Sequence, residues 1–278
     1  LCKVTNLKNS GSGSLRACAE SSGKKWIQFA VSGNIYLNSD IQVKSNKTID
    51  GRNRKIQIYN KGLNISNQSN IIVTNLIFKK GDSSDDNDAI AMRNAQDVWV
   101  HHCSFSNYND GLIDMTKGTT GVTISWSYFT EHYKTILIGA SIKDTADKRT
   151  KITLHHNYFD QTGSRNSRTR YAFVHAYNNY YKSWKDYGLG CSYKAKCYSE
   201  NNIYEAGSNK KAVVLKVGAD PQGGKVRSTG DWRLNGAKIE EKDPQSVPKP
   251  SQDYHYNAEN AGNNLINKIK ARAGWEND

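Results

Sequence analysis

The strongest constraint in this sequence is a short pattern that recurs along the chain. Apolar residues alternate with polar ones and then lead to Asn or Ser followed by an aromatic residue. The copies lie at 71–78, 98–105, 122–129 and 152–159, and the runs 173–181 and 197–204 extend the series. Successive copies are about 20 to 30 residues apart, which is the length of one coil of a β-solenoid. The repeat therefore predicts stacked coils.

Stacked coils of β-strands predict an all-β fold, a parallel β-helix in which equivalent Asn, Ser and aromatic positions form ladders between coils. A sandwich or a barrel would show hairpin turns at shorter spacing. Asn-Gly pairs, the usual sign of such hairpins, are nearly absent apart from Asn235-Gly236. A β-helix is thus favoured over the other all-β architectures.

Both ends of such a stack need a cover. After the Gly-rich residues 11–13, the segment 14–20 predicts a short N-terminal capping helix with Ser14 as its N-cap. The composition changes at Asp220 to loops rich in Gly and Pro, and 263–272 predicts an amphipathic helix packed on the outside of the stack. We expect one domain over 1–278, with coils at about 26–218 and a C-terminal loop and tail at about 219–278.

Composition limits the partners of this chain. No stretch approaches the roughly 18 apolar residues of a membrane helix, and the mean hydropathy is -0.76, so we expect a soluble protein with no membrane partner. The formal charge of +13, from 39 Lys and Arg against 26 Asp and Glu, predicts attraction to polyanions such as nucleic acid or acidic polysaccharide. The basic residues are spread out and form no recognisable nucleic-acid-binding module, so an acidic polysaccharide is the expected partner.

The number and placement of the five cysteines indicate the redox state of the compartment in which the protein folds. Cys2 and Cys18 flank the first segment and Cys191 and Cys197 flank a short loop, so each pair is placed to close a local disulfide. Cys103 lies in an apolar strand-like run and is expected to be a buried free thiol. Two bridges predict an oxidising compartment. No signal peptide opens the chain, which predicts a mature secreted, extracellular form whose leader has been removed.

Two acidic clusters lie at matched places in neighbouring coils. Asp86 and Asp88 precede an apolar pair, and Asp110 and Asp114 lie just past the strand of the next coil. Because coils stack about 4.8 Å apart, extended segments would bring the four carboxylates onto one wall. Unpaired carboxylates that close repel each other and imply a cation, and oxygen ligands without nearby Cys or His favour Ca²⁺. The alternative is a set of unrelated turn aspartates.

A basic cluster follows on later coils. Arg165, Arg168 and Arg170 lie within six residues. In an extended segment Arg165 would face away from the other two, so all three reach one ligand only through a loop or bend. The alternative is a solvated basic loop. Lys134 lies at a similar phase to the acidic residues, so an anionic sugar in a groove would meet metal-bound carboxylates on one side and cations on the other.

Aromatic and imidazole side chains inside the strand-like runs favour a structural interpretation. Histidines in such runs are more often core or ladder residues than metal ligands or bases, and the tryptophans are more often packing residues than platforms for a sugar. The residues concerned are His101, His102, His155, His156, Trp99 and Trp126.

Several motifs, in this order, resemble the pectate lyases of polysaccharide lyase family one, with the related pectin lyases and pollen allergens. The motifs are GSLRA at 13–17, TIDG at 48–51, DAI at 88–90, VWVHHC at 98–103, DGLID at 110–114, VTISW at 122–126, HHNYF at 155–159 and NNYY at 178–181. The resemblance extends from about Val4 to Tyr204. It implies a single-stranded right-handed parallel β-helix and a secreted, endo-acting pectate lyase of the plant cell wall, which cleaves α-1,4-linked polygalacturonate by calcium-assisted β-elimination to 4,5-unsaturated oligogalacturonides.

The resemblance also implies roles for individual residues. The Ca²⁺ ligands would be Asp86, Asp88, Asp110 and Asp114. The catalytic residues would be Arg165 as the base, Lys134 as the cation on the substrate carboxylate and Arg170 as a supporting cation. The substrate-binding residues would be Lys117, Lys134, Arg168 and Arg170. Arginine normally stays protonated in proteins, so the role of Arg165 rests on the resemblance alone.

Two positions depart from the family pattern. Ser167 stands where the family has proline, and because serine does not fix φ, we expect a looser segment around Arg165. His101 stands where the strand motif usually has aspartate, and it would alter a structural hydrogen bond in the wall of the helix.

Three other functions compete with a pectate lyase, which we expect to be monomeric. A pectin lyase acting on methylated chains would need neither Ca²⁺ nor a cationic groove. A non-catalytic, allergen-like β-helix would bind pectin without turnover. A hydrolase would use paired carboxylic acids and would form no unsaturated product.

Overall fold

The computed structural model describes residues 1–250 and 254–276. Its strands build a parallel β-helix with three parallel sheets, here called sheets A, B and C. Every pairing between named strands is parallel and joins equivalent positions of successive coils, as in Val98 beside Ile71 and Val122. The predicted fold class is confirmed.

The strands of each sheet follow one another along the stack. Sheet A contains β1 (Cys2–Val4), β2 (Lys25–Phe29), β5 (Lys47–Asp50), β8 (Ser69–Thr74), β11 (Gln96–His101), β14 (Thr120–Ser125), β17 (Lys151–His155), β20 (Phe173–Tyr177), β23 (Lys196–Glu200) and β26 (Lys225–Thr229). Sheet B contains β4 (Ile41–Gln42), β7 (Leu63–Ser66), β10 (Ile90–Arg93), β13 (Ile113–Thr116), β16 (Lys134–Ile138), β19 (Ser164–Thr169), β22 (Leu189–Cys191), β25 (Lys211–Val214) and β28 (Lys238–Ile239). Sheet C contains β3 (Gly33–Tyr36), β6 (Ile56–Asn60), β9 (Ile77–Gly81), β12 (Ser104–Ser106), β15 (Tyr128–Thr130), β18 (Tyr158–Asp160), β21 (Tyr180–Lys182), β24 (Ile203–Glu205) and β27 (Trp232–Leu234).

The core lies inside the stack because every second residue of a strand points inward. Val73, Val100 and Ile124 occupy equivalent positions on β8, β11 and β14 and are fully buried. Burying a side chain of this kind stabilises the fold by about 1.5 to 3 kcal/mol relative to leaving it exposed. The two-residue alternation in the repeat is thus the pattern that fills the interior.

The predicted aromatic ladder is present at the corner where sheet C begins. Its rings stack in parallel at centroid distances of 4.7 to 5.1 Å: Phe78, Phe105, Phe129, Phe159, Tyr181 and Tyr204.

A ladder of asparagines runs beside the aromatic one. The backbone N–H of Asn157 donates to Oδ1 of Asn179 at 3.0 Å, and the N–H of Asn179 donates to Oδ1 of Asn202 at 2.8 Å. Each Nδ2 reaches back to a carbonyl of the previous coil, as from Asn157 to Ile124 O at 2.8 Å. These bonds satisfy buried backbone groups at the turn, which would otherwise be left unpaired. The Asn positions of the repeat therefore serve the backbone.

The asparagine ladder ends on a carboxylate, and this gives a test of stability against pH. Oδ1 of Asp231 accepts the N–H of Asn202 at 2.8 Å, and burial raises the pKa of Asp231 to about 6. Between about pH 4 and 6 the native state holds more protons than the unfolded state, so the contribution of Asp231 to stability falls as the pH rises through that window. Above pH 6 the buried charge costs at most about 3 kcal/mol, less where solvent screens it.

We expect Asp231→Asn to raise the free energy of unfolding by about 1 to 2 kcal/mol at pH 8 and to change it little at pH 4, because the amide keeps the acceptor for Asn202 without the charge. Urea denaturation at both pH values measures the effect. A gain of equal size at both, or a loss at pH 8, would contradict this account.

A residue in the left-handed region follows each of six sheet A strands and turns the chain into sheet C. These residues have φ between 47° and 55°: Asn75, His102, Trp126, His156, Asn178 and Asn201. In each His-His pair the first histidine therefore ends a strand and the second forms the corner. His101 shares a hydrogen bond with Ser125 Oγ at 2.8 Å, and burial lowers its pKa to about 4. Burial likewise lowers the pKa of His155 to about 3, so these histidines are neutral packing residues, in line with the structural interpretation.

The predicted N-terminal capping helix and the expected cysteine pairs are present. The helix α1 (Leu15–Ala19) has Ser14 as its N-cap, whose Oγ accepts the N–H of Ala17 at 3.1 Å. The disulfide Cys2–Cys18 ties this helix to β1, Cys191 pairs with Cys197, and Cys103 is a buried free thiol. Short 3-10 helices lie at Thr145–Arg149 and Pro244–Ser246.

The C-terminal segment packs along the outside of the stack. The helix α2 (Asn263–Arg272) occupies the predicted residues and buries Leu265, Ile266 and Ile269 against side chains of sheet C. The segment starts near β20, where Tyr254 Oη contacts His175 Nδ1 at 2.5 Å, and returns to the third coil, where Trp275 Nε1 donates to Arg54 O at 3.2 Å. It therefore spans many coils.

The coils extend beyond the predicted limits of 26 and 218. The strand β1 pairs with β2 before the first limit, and β26, β27 and β28 lie after the second. The last three strands escaped prediction because they lack the buried apolar pattern of the other coils, and Val226 in β26 is their one buried residue. No helix in the part of the chain that the structure describes is long and apolar enough to cross a membrane.

Candidate active site

A cleft of about 410 Å³ lies on the outer face of sheet B. It brings together seven of the nine side chains that the sequence singled out, with anionic groups from the earlier coils and cationic ones mostly from the later coils. These residues are Asp86, Asp88, Asp110, Asp114, Lys117, Lys134 and Arg165. Arg168 and Arg170 do not line this cleft.

The register of the coils explains why these groups meet. Asp88 and Asp110 lie in the turns before β10 and β13, so they occupy similar places one coil apart. Asp114 lies within β13, where it is paired with Ala91 on one side and Leu137 on the other. Lys134 is the first residue of β16, one coil later. Because rungs of a sheet are about 4.8 Å apart, side chains from successive coils reach a common space.

Gly111 lies at the centre of the acidic wall. Its N–H donates to Oδ1 of Asp88 at 2.8 Å. A β-carbon at this position would lie 2.7 Å from Oδ1 of Asp88 and 2.7 Å from Oδ1 of Asp114. The two carboxylates therefore converge on a space that only glycine leaves open. Gly111 was not among the predicted site residues, although its place directly after Asp110 in DGLID was a signal.

The charged form of the acidic wall is destabilised unless a cation is present. Burial raises the pKa of Asp88 to about 6, and the charges of Asp110 and Asp86 add to the effect. Burial, with the charges of Asp88 and Asp110, raises the pKa of Asp114 well above its usual range. Oδ1 of Asp114 is buried and has no hydrogen-bond partner among the described residues. A bound cation would supply the missing partner and offset the repulsion.

The donor set fits a hard divalent cation such as Ca²⁺, since it offers carboxylate oxygens and no sulfur. The fit is strongest at Asp88 and Asp114. Oδ1 of Asp110 is 2.5 Å from Nζ of Lys134, and Asp86 is an exposed residue of the rim. Within residues 1–250 and 254–276 no three His, Cys, Asp or Glu side chains are already gathered as a metal site. The wall is thus open rather than a closed cage.

The strand β19 brings only Arg165 of the basic cluster to the cleft, in a way that the sequence did not predict. The segment was expected to be a loop or bend, but it is a strand with a bulge. Ile136 pairs with Asn166 and Leu137 with Arg168, which leaves Ser167 as the extra residue. Asn166 and Ser167 are both fully buried, so Arg165 and Arg168 both point outward. Ser167, the position of the family proline, is held in the interior with Oγ 3.1 Å from Thr169 Oγ1.

The three arginines have different surroundings. Arg170 is 8% exposed, and its Nε donates to Oδ1 of Asp220 at 3.0 Å while its Nη1 donates to Gly139 O at 3.0 Å. Burial and the charge of Arg168 lower the pKa of Arg170, against the opposite effect of Asp220. Arg168 lies 3.4 Å from the same carboxylate and lines a neighbouring depression. Within the described ranges only Arg165 of the three makes no side-chain hydrogen bond or ion pair.

Other side chains at the site were not foreseen. Asp144, from the loop before the first 3-10 helix, lies 2.8 Å from Nζ of Lys117 at the rim of the cleft. Asp220 belongs to the region that the sequence marked as loop, yet it pairs with both Arg168 and Arg170. Tyr133 is 49% exposed and donates a hydrogen bond to Asp186 beside the cleft. None of the three belongs to the repeat, so periodicity could not reveal them.

Known proteins are similar to this chain in both sequence and fold. The family model described as pectate lyase matches residues 28–277. Pectate lyase 1 of Chamaecyparis obtusa is 36% identical over 256 residues, which are 82% of this chain and 68% of that protein. Three of the curated plant relatives are matched over 56% to 68% of their own lengths.

Solved structures agree with this match. The crystal structure of jun a 1, the major allergen from cedar pollen, superposes with a TM-score of 0.89 and 31% identity, covering 99% of this chain and 88% of the other. A pectate lyase from Bacillus sp. N165, solved in complex with trigalacturonate, gives a TM-score of 0.79 and 26% identity over 93% of this chain and 88% of the other. The chain belongs to the pectate lyase family, a family of polysaccharide lyases.

Proposed function

We propose that this protein is a secreted pectate lyase that cleaves α-1,4-linked polygalacturonate within the chain by β-elimination. One observation carries the proposal. The unpaired guanidinium of Arg165 shares a cleft with Asp88 and Asp114, two carboxyl groups whose raised pKa values mark a site for a cation. An anionic sugar bound between Arg165 and this cation would be attracted by both positive charges.

The substrate is expected to be acidic because four basic side chains line the cleft: Arg93, Lys117, Lys134 and Arg165. The relative from Bacillus sp. N165 was solved with trigalacturonate, which supports a galacturonate chain as ligand. Methyl-esterified pectin would not use these charges, so a pectin lyase is the weaker alternative.

We assign Ca²⁺ to Asp88 and Asp114, with Asp110 and Asp86 completing the wall. When bound, the ion would neutralise the substrate carboxylate and so acidify the neighbouring C5–H bond. Lys134 holds Asp110 at 2.5 Å and lies on the side of the cleft nearer to Arg165. It is therefore suited to bind a substrate carboxylate next to the acidic wall.

We assign proton removal to Arg165 on the resemblance of its segment to the family motif, and the surroundings of the other groups in the cleft agree with this assignment. The aspartates are needed for the cation, Lys117 is paired with Asp144, and Lys134 is paired with Asp110. Arg93 also lines the cleft, where its charge acts on Asp88 and Asp114. In the elimination the neutral form of the Arg165 side chain takes the proton from C5, the C4–O bond breaks, the C4–C5 double bond forms, and the departing oxygen gains a proton from solvent. The products are 4,5-unsaturated oligogalacturonides.

Arg170 is a positioning residue in this proposal rather than a contact for the substrate. Its bonds to Asp220, Gly139 and Ala140 join two other segments of the chain to the end of β19. Arg168 extends the cationic surface into the neighbouring depression, where Lys211 and Lys216 also lie. The two disulfides support an oxidising, extracellular compartment, and we expect a monomer folded as a single domain.

A direct test follows the absorbance of unsaturated product from polygalacturonate at alkaline pH. We expect product with Ca²⁺, none with a chelator, and recovery when Ca²⁺ is restored. A parallel reaction with fully methylated pectin should be much slower. Absence of unsaturated product with Ca²⁺ present would refute the proposal.

A non-catalytic, allergen-like role is the second candidate, favoured by the similarity to jun a 1. The same assay separates the two, because a binding protein would retain polygalacturonate without releasing product.

A further inference from the structure

Sheet A exposes two tryptophans on a face remote from the cleft. Trp26 is 47% exposed and Trp99 is 40% exposed. Trp26 is paired with Thr48, Thr48 with Ile72, and Ile72 with Trp99, so all four lie in one outward column. Trp26 and Trp99 are three rungs apart, a distance of about 14 Å. This spacing would accommodate a few sugar rings of an extended chain.

The indole ring of each tryptophan is held by a hydrogen bond from its N–H group. Nε1 of Trp26 donates to Oδ2 of Asp50 at 3.0 Å, and Nε1 of Trp99 donates to Oγ of Ser125 at 2.8 Å. Their N–H groups are therefore satisfied within the protein, while much of each ring stays exposed to solvent. Rigid aromatic surfaces of this kind bind ligands with little loss of conformational entropy.

The surface between the two rings is a shallow groove. A depression of about 390 Å³ is lined by Thr48, Ile72, Thr74 and Trp99, among others. A second depression of about 500 Å³ lies beside Trp26, and Arg52 lines both. The two depressions together, from Trp26 to Trp99, are called the tryptophan groove.

The border of the tryptophan groove is cationic. It contains Lys3, Arg52, Arg54 and Arg272 against two acidic groups, Asp50 and Glu276. Asp50 is bound by Arg52 at 2.7 Å, and Glu276 lies 3.8 Å from Nε of Arg272. The net charge of these groups is positive, which favours an anionic ligand over a neutral one.

We propose that the tryptophan groove is a second, non-catalytic binding site for an extended acidic polysaccharide. The apolar faces of its sugar rings would stack on Trp26 and Trp99, and its carboxylates would lie near the arginines of the border. Its position on sheet A separates it from the cleft on sheet B. The site would hold the protein on a polymer while the cleft binds another segment.

The test measures binding without turnover. Variants are made in an Arg165→Ala background, and retention is followed by native electrophoresis through gels containing polygalacturonate and a chelator, which weakens binding at the cleft. We expect Trp26→Thr/Trp99→Thr to weaken retention about tenfold or more, since both stacking surfaces are lost. Threonine already occupies this column at Thr48, so it suits the strand. Trp26→Tyr/Trp99→Tyr should keep most of the retention.

Tyr36→Ala is the matched control, because Tyr36 is a 54% exposed aromatic residue on sheet C. With Arg165 intact, the double threonine variant should cleave trigalacturonate as the parent does. Unchanged retention, an equal loss in Tyr36→Ala, or stronger retention by hydroxyethyl cellulose than by polygalacturonate would overturn the inference. If turnover of polygalacturonate is absent but retention still depends on both tryptophans, the proposed function fails and the tryptophan groove stands.

Discussion

Replacing Arg165 with lysine is expected to lower the turnover of polygalacturonate about 10²- to 10⁴-fold, because the group that accepts the C5 proton is displaced while the charge is kept. The backbone at Arg165 is left-handed, with φ 57°, and the bulge after it sets the direction of the side chain. A lysine on the same backbone would reach a different point of the cleft. Initial rates of unsaturated product at saturating Ca²⁺ measure the loss in kcat, and we expect KM to change only a few fold.

Arg168→Lys is the matched control for this variant. Arg168 lies on the same strand and also points outward, but it already binds Asp220 and Val217 O. We expect it to act mainly on KM, through weaker binding of substrate. If Arg165→Lys keeps more than about a tenth of the parent turnover, below the smallest loss usual for a general base, then Arg165 is not the base.

Gly111→Ala is expected to weaken Ca²⁺ binding about 10- to 100-fold, the range typical for disturbed supports of metal ligands. The new β-carbon would lie 2.7 Å from oxygens of both Asp88 and Asp114, so the carboxylates must move apart. Calorimetric titration with Ca²⁺ measures the affinity directly. Turnover should fall at low Ca²⁺ and recover in part as Ca²⁺ is raised.

Gly262→Ala serves as the control, since no heavy atom beyond its chain neighbours lies within 4 Å of its added β-carbon. Thermal unfolding of both variants separates a local effect from a general loss of stability. An unchanged Ca²⁺ affinity in Gly111→Ala, with the fold intact, would remove Asp88 and Asp114 from the proposed metal site.

The fold was predictable because one coil carries its own pattern and the pattern is repeated. Alternating residues such as Val98 and Val100 mark the inward face, and the Asn and aromatic positions mark the corner. The coil limits were less predictable because the outer coils break the pattern. In β26 the sequence KVRST buries one apolar side chain, so its parallel pairing with β23 is invisible in the composition.

The site was predictable where coil spacing is regular and not where it is interrupted. Asp88, Asp110 and Lys134 recur at matched phases, and the structure gathers them in one cleft. The bulge at Ser167 changes the phase within β19, so the alternation rule could not tell which arginines share a face. The partner of Arg170 comes from a distant loop, at Asp220, and no local pattern encodes that contact.

The C-terminal segment changes the kind of cooperativity that a solenoid has. In a one-dimensional stack each coil contacts only its neighbours, so coils at either end can fray one at a time. Here the segment joins His156 and His175, on later coils, to Arg54 near the third. These contacts link coils that are far apart in the stack. Unfolding of the first coils must therefore also break contacts of a segment that is bound to later coils.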